Sequence, residues 1–132
     1  MNPKKANGET LQKAFRNNPG PETAYELALF YSKKKDFKKT RETVERYWDT
    51  LHGDTEKKWW YSVKIYELLG IIRRKQKYYA TSRRSYINAL TIFNKNDYNK
   101  EARKLLGPRW LCARRLKKGR IRAEKKIPPP MR

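Results

Sequence analysis

Basic and aromatic side chains are interspersed in the middle of this 132-residue chain. Residues 57–79 read KKWWYSVKIYELLGIIRRKQKYY, with seven basic and six aromatic residues. Cationic side chains neutralise nucleic-acid phosphates, and aromatic rings offer faces on which bases stack. The same pattern also describes a buried helix whose polar face is basic. The two interpretations differ in whether the rings face solvent or a core.

A second basic segment lies at the C-terminal end. Residues 109–132, RWLCARRLKKGRIRAEKKIPPPMR, hold ten basic residues and one acidic residue. We predict an RNA-binding tail over residues 108–132, helical at most as far as Gly119 and extended at its three prolines. Trp110 is its candidate for base stacking, because solvating tails rarely carry such apolar residues. A solubilising tail is the alternative.

The net charge of +21 is unevenly distributed along the chain. Residues 1–67 carry a net charge of +4, whereas residues 68–132 carry +17. Self-repulsion on this scale destabilises a compact state unless a polyanion neutralises it. We therefore expect a nucleic-acid partner on the C-terminal half.

Catalytic chemistry has little support in the sequence. His52 is the only histidine, and Cys112 has cationic neighbours that would lower its pKa but no base near it in sequence. There is no phosphate-binding glycine loop, metal-ligand spacing or carboxylate pair. We therefore expect that the protein is not an enzyme and that it binds no cofactor, metal ion or small-molecule substrate. No apolar run has the length of a membrane span or a signal peptide, so no membrane partner is expected.

Apolar periodicity predicts helices throughout and no strands. The predicted fold is all-α, with two antiparallel helical hairpins, a short fifth helix and the basic extension. Its parts are an N-terminal arm (1–20), a helical domain (21–107) and the tail (108–132). The predicted helices follow Pro21, Asp36, Thr55, Lys77 and Asp97, and the last of them ends at Gly107.

Most of the aromatic residues fall on the inward stripes of these helices. Trp60 differs, because it borders the polar strip between Lys57 and Lys64. It is predicted as a contact for a neighbouring protein, with base stacking equally open. The aromatic residues assigned to the core are Tyr47, Trp48, Trp59, Tyr61, Tyr66, Tyr79 and Tyr86.

The turns within the two hairpins are both basic, and in consecutive hairpins such turns lie on one edge. We predict that this edge and the tail bind RNA phosphates, although a lysine-rich turn is also simply soluble. The predicted residues of the edge are Lys33, Lys34, Lys35, Lys38, Arg73, Arg74, Lys75, Lys77, Arg83 and Arg84. Those of the tail are Arg109, Trp110, Arg114, Arg115, Lys117, Lys118, Arg120 and Arg122.

The two hairpins align at a period of 42 residues, and over residues 21–94 they resemble tetratricopeptide repeats. Leu27 and Ala28 match the large-then-small pair of that family, and Lys35-Asp36-Phe37 matches its turn. In the second hairpin the matching pair is Leu69 and Gly70. The resemblance implies a helical scaffold for protein interactions, for which three or more repeats usually form the groove.

These features predict a structural, RNA-binding subunit of a large ribonucleoprotein. A ribosome, mitochondrial or otherwise, is the leading hypothesis, because the basic extension is similar in composition to those of ribosomal proteins. Its partners would be rRNA or another structured RNA and neighbouring proteins of the assembly. The alternatives are a tetratricopeptide-like adaptor without an RNA role, located in the cytoplasm, and a DNA-associated factor.

Overall fold

The computed structural model describes residues 7–49, 58–96 and 99–129, which form seven α-helices and no strand. The predicted all-α fold is confirmed. The chain divides into two compact units, unit 1 (Met1–Lys58) and unit 2 (Trp59–Arg132). The helices are α1 (Gly8–Asn17), α2 (Pro21–Lys33), α3 (Phe37–Asp49), α4 (Trp59–Lys75), α5 (Tyr79–Asn96), α6 (Lys100–Leu106) and α7 (Arg109–Glu124).

Unit 1 is a hairpin of α2 and α3, with α1 packed on α2. Asn7 caps α1 by accepting a hydrogen bond from the backbone N–H of Thr10 at 2.8 Å. Pro21 occupies the first turn of α2, where its missing N–H has no intrahelical partner in any case. Leu27 and Val44 are buried where the two helices of the hairpin meet.

Unit 2 contains a second hairpin, formed by α4 and α5, against which α6 and α7 pack. Its core is aromatic at one end. The rings of Trp59 and Trp60 meet edge to face with centroids 5.7 Å apart, and Phe93 lies 6.4 Å from Trp59. Leu106 of α6 and Leu116 of α7 belong to the same buried cluster.

One turn geometry closes both hairpins. Lys35 (φ 61°) and Lys77 (φ 67°) adopt the left-handed conformation after the last helical turn. The backbone N–H of the next residue, Asp36 or Tyr78, donates to the carbonyl five residues earlier at 2.9 or 2.8 Å. This is the Schellman-type end of a helix. Lys35 and Lys77 lie 42 positions apart, the period found in the sequence.

The C-terminal segment is more helical and more tightly packed than the predicted tail. α7 continues past Gly119 to Glu124 and packs on α5, with Cys112 and Leu116 fully buried. Cys112, Leu116, Gly119 and Ala123 recur at helical spacing and form a narrow buried stripe. The predicted boundary between residues 107 and 108 is replaced by a division after Lys58.

The short helix before α7 begins later than predicted. The side chain of Asn99 caps α6 by accepting from the backbone N–H of Glu101 at 2.8 Å. Asp97, the predicted cap, lies outside the described residues, as do His52 and Thr55. The helix ends at Gly107, whose φ of 81° suits glycine.

Two tryptophan predictions are reversed. Trp60 is 5% exposed, because α6 and α7 pack on α4 and bring it into the core cluster. It is therefore not a surface contact. Trp48 is 36% exposed, because its neighbour Tyr47 takes the inward position of the last turn of α3. Trp59, Tyr47 and Tyr86 are buried as predicted, and Tyr61, Tyr66 and Tyr79 are half-buried.

Candidate nucleic-acid interface

The outward face of α7 is basic and carries exposed apolar side chains. It lies opposite the buried stripe of Cys112, Leu116, Gly119 and Ala123. None of the exposed residues of α7 is acidic, and its one carboxylate, Glu124, is half-buried. Its exposed residues are Arg109, Trp110, Leu111, Arg114, Lys117, Lys118, Ile121 and Arg122.

Ion pairs hold α7 on the hairpin beneath it. Glu67 of α4 is 5% exposed and accepts from Arg115 Nε of α7 and from Lys64 Nζ at 2.8 Å. Glu124 near the end of α7 accepts from Arg83 Nε of α5 at 2.9 Å. Arg83 and Arg115, both predicted to bind RNA, therefore also take part in internal ion pairs that position α7.

Tyr86 of α5 lies where three helices meet. A Cβ atom added to Gly70 of α4 would approach the Tyr86 ring to 2.6 Å, and one added to Gly119 of α7 would approach it to 2.2 Å. Glycine at both positions leaves room for the ring between the helix backbones. The close approach of α7 to the hairpin thus depends on two glycines and one aromatic ring.

A basic groove separates α4 from α7. It encloses about 390 Å³, and five cations and one carboxylate lie along it. We call it the α4–α7 groove; it is lined by Lys64, Glu67, Ile71, Arg74, Tyr86, Arg115, Lys118, Gly119 and Arg122. Four of its cations were predicted to bind RNA, but as members of separate segments. Lys64 was missed, although its spacing of three residues from Glu67 places both on one helix face.

Trp110 stands at the N-terminal end of α7 and is 66% exposed. A surface hollow beside it is lined by Arg103, Pro108 and Arg109. A large, exposed ring next to guanidinium groups is the arrangement that single-stranded bases use for stacking. Its exposure agrees with the predicted role, and Leu111, 40% exposed, extends the apolar patch.

The basic turns are exposed within their own units. Lys33, Lys34, Lys35 and Lys38 are exposed in unit 1, and Lys34 Nζ lies 4.7 Å from the centre of the Phe30 ring. In unit 2, Lys75, Lys77 and Arg84 are exposed, whereas Arg73, Arg74 and Arg120 are half-buried. The two turns belong to different units, so the shared edge remains a prediction.

Cys112 is not the activated thiol that its basic neighbours suggested. Burial raises the pKa of Cys112, and the nearby Glu67 raises it further, while Arg115 and Lys64 act in the opposite direction. The thiol therefore stays protonated at neutral pH. In the described ranges, no three His, Cys, Asp or Glu side chains converge on a metal-sized site. No described helix has the length and apolar character to cross a bilayer.

The resemblance to tetratricopeptide repeats rests on residues 21–94, and the similarity to ribosomal proteins rests on the composition of the C-terminal segment. In comparisons with known proteins, no family model, curated protein or solved structure matches the chain.

Proposed function

We propose that this protein is a structural, RNA-binding subunit of a large ribonucleoprotein, with a ribosome, mitochondrial or otherwise, as the first candidate. The observation that supports it is the outward face of α7, where every exposed side chain is basic or apolar. Because α7 is held by buried contacts, its cations need little further ordering to meet phosphates. Less conformational entropy is therefore lost on binding than for a flexible tail.

The charge of unit 2 supports a polyanionic partner. Its sequence holds 21 basic and four acidic residues, a net charge of +17, against +4 for unit 1. Glu67 and Glu124 are engaged in ion pairs within the unit. The positive charge that remains faces solvent, where RNA phosphates would neutralise it. In this proposal, unit 1 contacts neighbouring proteins of the assembly.

One observation favours the adaptor as a second candidate. Within unit 1, a cavity of about 430 Å³ lies among α1, α2 and α3, with Phe15, Leu27 and Tyr31 in its wall. Polar side chains, among them Gln12, Lys39 and Glu42, complete its wall, and its volume is in the range of pockets that bind ligands. This candidate requires no RNA and makes no use of α7.

The test uses two triple substitutions that remove equal charge from unit 2. Arg114 and Lys117 on the exposed side of α7 and Lys125, directly after its end, are changed to Gln. The control changes Lys95, Lys100 and Lys104 on α5 and α6. Glutamine has nearly the helix propensity of lysine and arginine, so both variants should fold alike.

We expect the α7 variant to lose about tenfold or more in affinity for an RNA hairpin. The slope of log K against log salt should fall by about 0.7–0.9 per phosphate contact removed, and the control should change less. Tagged protein should also sediment with ribosomal particles until ribonuclease releases it. Equal, small effects in both variants and a salt-independent affinity would instead favour the adaptor.

A further inference from the structure

The α4–α7 groove brings together cations that are far apart in sequence. Lys64 and Arg74 share one face of α4 at helical spacing, and Arg115, Lys118 and Arg122 share one face of α7. Tyr86 of α5 lines the groove between them. Five cations at close quarters repel one another unless anions intervene.

Glu67 divides these cations into two sets. Its carboxylate accepts from Lys64 and Arg115 and offsets one of their two positive charges. Within the described part of the chain, no carboxylate lies within ion-pair distance of Arg74, Lys118 or Arg122. The groove therefore holds three cations with no internal counter-charge.

A buried donor in the groove also lacks an acceptor. Among the described residues, Arg74 Nε is shielded from solvent and has no hydrogen-bond partner. Nearly all buried N–H groups in folded proteins are paired, so a turn of the half-buried Arg74 side chain towards the groove would bring this donor to an acceptor supplied by a ligand. Phosphate oxygens accept strongly from guanidinium N–H groups.

The Tyr86 phenol supports the same picture. Burial raises its pKa, whereas Arg74 and Arg122 act to lower it, which places both guanidinium groups near the phenol. The phenol is protonated at neutral pH, so it has a proton to donate to an anion.

We propose that the α4–α7 groove is a phosphate-binding pocket in which Arg74, Lys118 and Arg122 hold one phosphate group of an RNA backbone. Glu67 orients Arg115 and Lys64 along its walls. This inference rests on the proposed RNA-binding function. A free phosphate or a small phosphorylated molecule presents the same chemistry, and the test below separates these sources from RNA.

Adjacent residues of α7 supply a matched pair of variants. Lys117 and Lys118 are both exposed, but only Lys118 lines the groove. We expect Lys118→Gln to weaken binding of an RNA hairpin more than Lys117→Gln. Arg74→Lys keeps the charge and removes the Nε donor, so it should also weaken binding, by up to about tenfold. Near-ultraviolet circular dichroism checks that each variant keeps its packing.

The direct readout is the nitrogen-15 resonance of Arg74 Nε in the intact chain, titrated with the RNA hairpin and, separately, with inorganic phosphate. The proposal requires that RNA shift this resonance and that Lys118→Gln and Arg74→Lys weaken RNA binding. RNA binding at full affinity without such a shift would overturn the pocket and leave the proposed function standing. A shift with inorganic phosphate but no binding of RNA would overturn both.

Discussion

Units 1 and 2 contain the same hairpin and use it differently. Leu27 and Leu69, 42 positions apart, are each 4% exposed, and Thr40 and Ser82, the same distance apart, are fully buried. The difference lies in the added helix. In unit 1 the helix α1 packs on the first helix of the hairpin, whereas in unit 2 the helix α7 packs mainly on the second.

One pair of equivalent residues explains why α7 can dock. Val44 of unit 1 and Tyr86 of unit 2 are both buried at the same position of the repeat. The Tyr86 ring reaches Gly70 and Gly119, whereas the position of Gly70 is taken in unit 1 by Ala28. Tyr86, which is larger than Val44 and lies against two glycines, thus contacts both α4 and α7 and holds the basic face of α7 in place. The comparison teaches that the hairpins supply the scaffold and that the added helix supplies the candidate function.

The largest expected effect separates Trp60 from Trp48, the two tryptophans whose predicted positions are reversed. Trp60→Ala should lower the free energy of unfolding by about 3–5 kcal/mol, because it removes a large buried ring. Trp48→Ala should cost clearly less, since that ring is 36% exposed. Chemical denaturation followed by far-ultraviolet circular dichroism measures both. Equal losses of unfolding free energy would contradict the assignment of Trp60 to the core and of Trp48 to the surface.

The hairpins were predictable because their signals are local. Helical periodicity and the turns around Lys35 and Lys77 are contained in short stretches of sequence. The docking of α7 was not predictable in this way. Its buried stripe consists mainly of small residues in a helix that carries seven cations, and the need for Gly119 arises from the ring of Tyr86 on another helix.

The candidate site was predicted in part for the same reason. Arg74, Lys118 and Arg122 were predicted to bind RNA from their charge and their place in a turn or in the C-terminal segment, without any sign that they share a groove. Their grouping depends on the packing of α7 beside α4, a contact between distant segments. Charge patterns identify which residues are available, and tertiary packing decides which of them act together.

The next prediction tests the glycine contact in unit 2. Gly119→Ala should lower the free energy of unfolding by up to about 2 kcal/mol, because overpacking costs up to about 3 kcal/mol and the better helix propensity of alanine offsets about 1 kcal/mol. The comparison in unit 1 is Gly20→Ala at the N-cap of α2, where an added Cβ meets nothing within 4 Å, so no steric penalty is expected there.

A double-mutant cycle sharpens this prediction. In a Tyr86→Val background, which copies the residue at Val44, Gly119→Ala should lose most of its penalty. Additive effects of Tyr86→Val and Gly119→Ala would show that the ring and the glycine do not interact energetically.

A smaller effect concerns pH and again belongs to unit 2. Burial raises the pKa of Cys112. As pH rises, the thiol of the unfolded chain therefore loses its proton before the thiol of the folded chain does. This contribution is fully present below the unfolded thiol pKa of about 8.5 and is lost as pH rises through the folded pKa. One proton changes the slope by at most about 1.4 kcal/mol per pH unit. Cys112→Ala should therefore show a shallower loss of stability just above that pH, measured by urea denaturation. If stability falls equally with pH in the wild-type protein and in Cys112→Ala, the thiol does not cause the pH dependence.

The smallest expected effect tests what the two units share. Lys35 and Lys77 hold left-handed conformations in which a Cβ costs about 1 kcal/mol. Lys35→Gly and Lys77→Gly should each stabilise the chain by about 0.5 kcal/mol, because the relief of strain exceeds the added entropy of unfolded glycine. Lys35→Ala and Lys77→Ala remove the same charge but keep the Cβ, so they should give no such gain. The stability gains should match in the two units, whereas RNA affinity should fall more for the changes at Lys77. Unequal gains would show that the turns differ energetically despite their common hydrogen bonds, and equal losses of affinity would place RNA contacts on unit 1 as well.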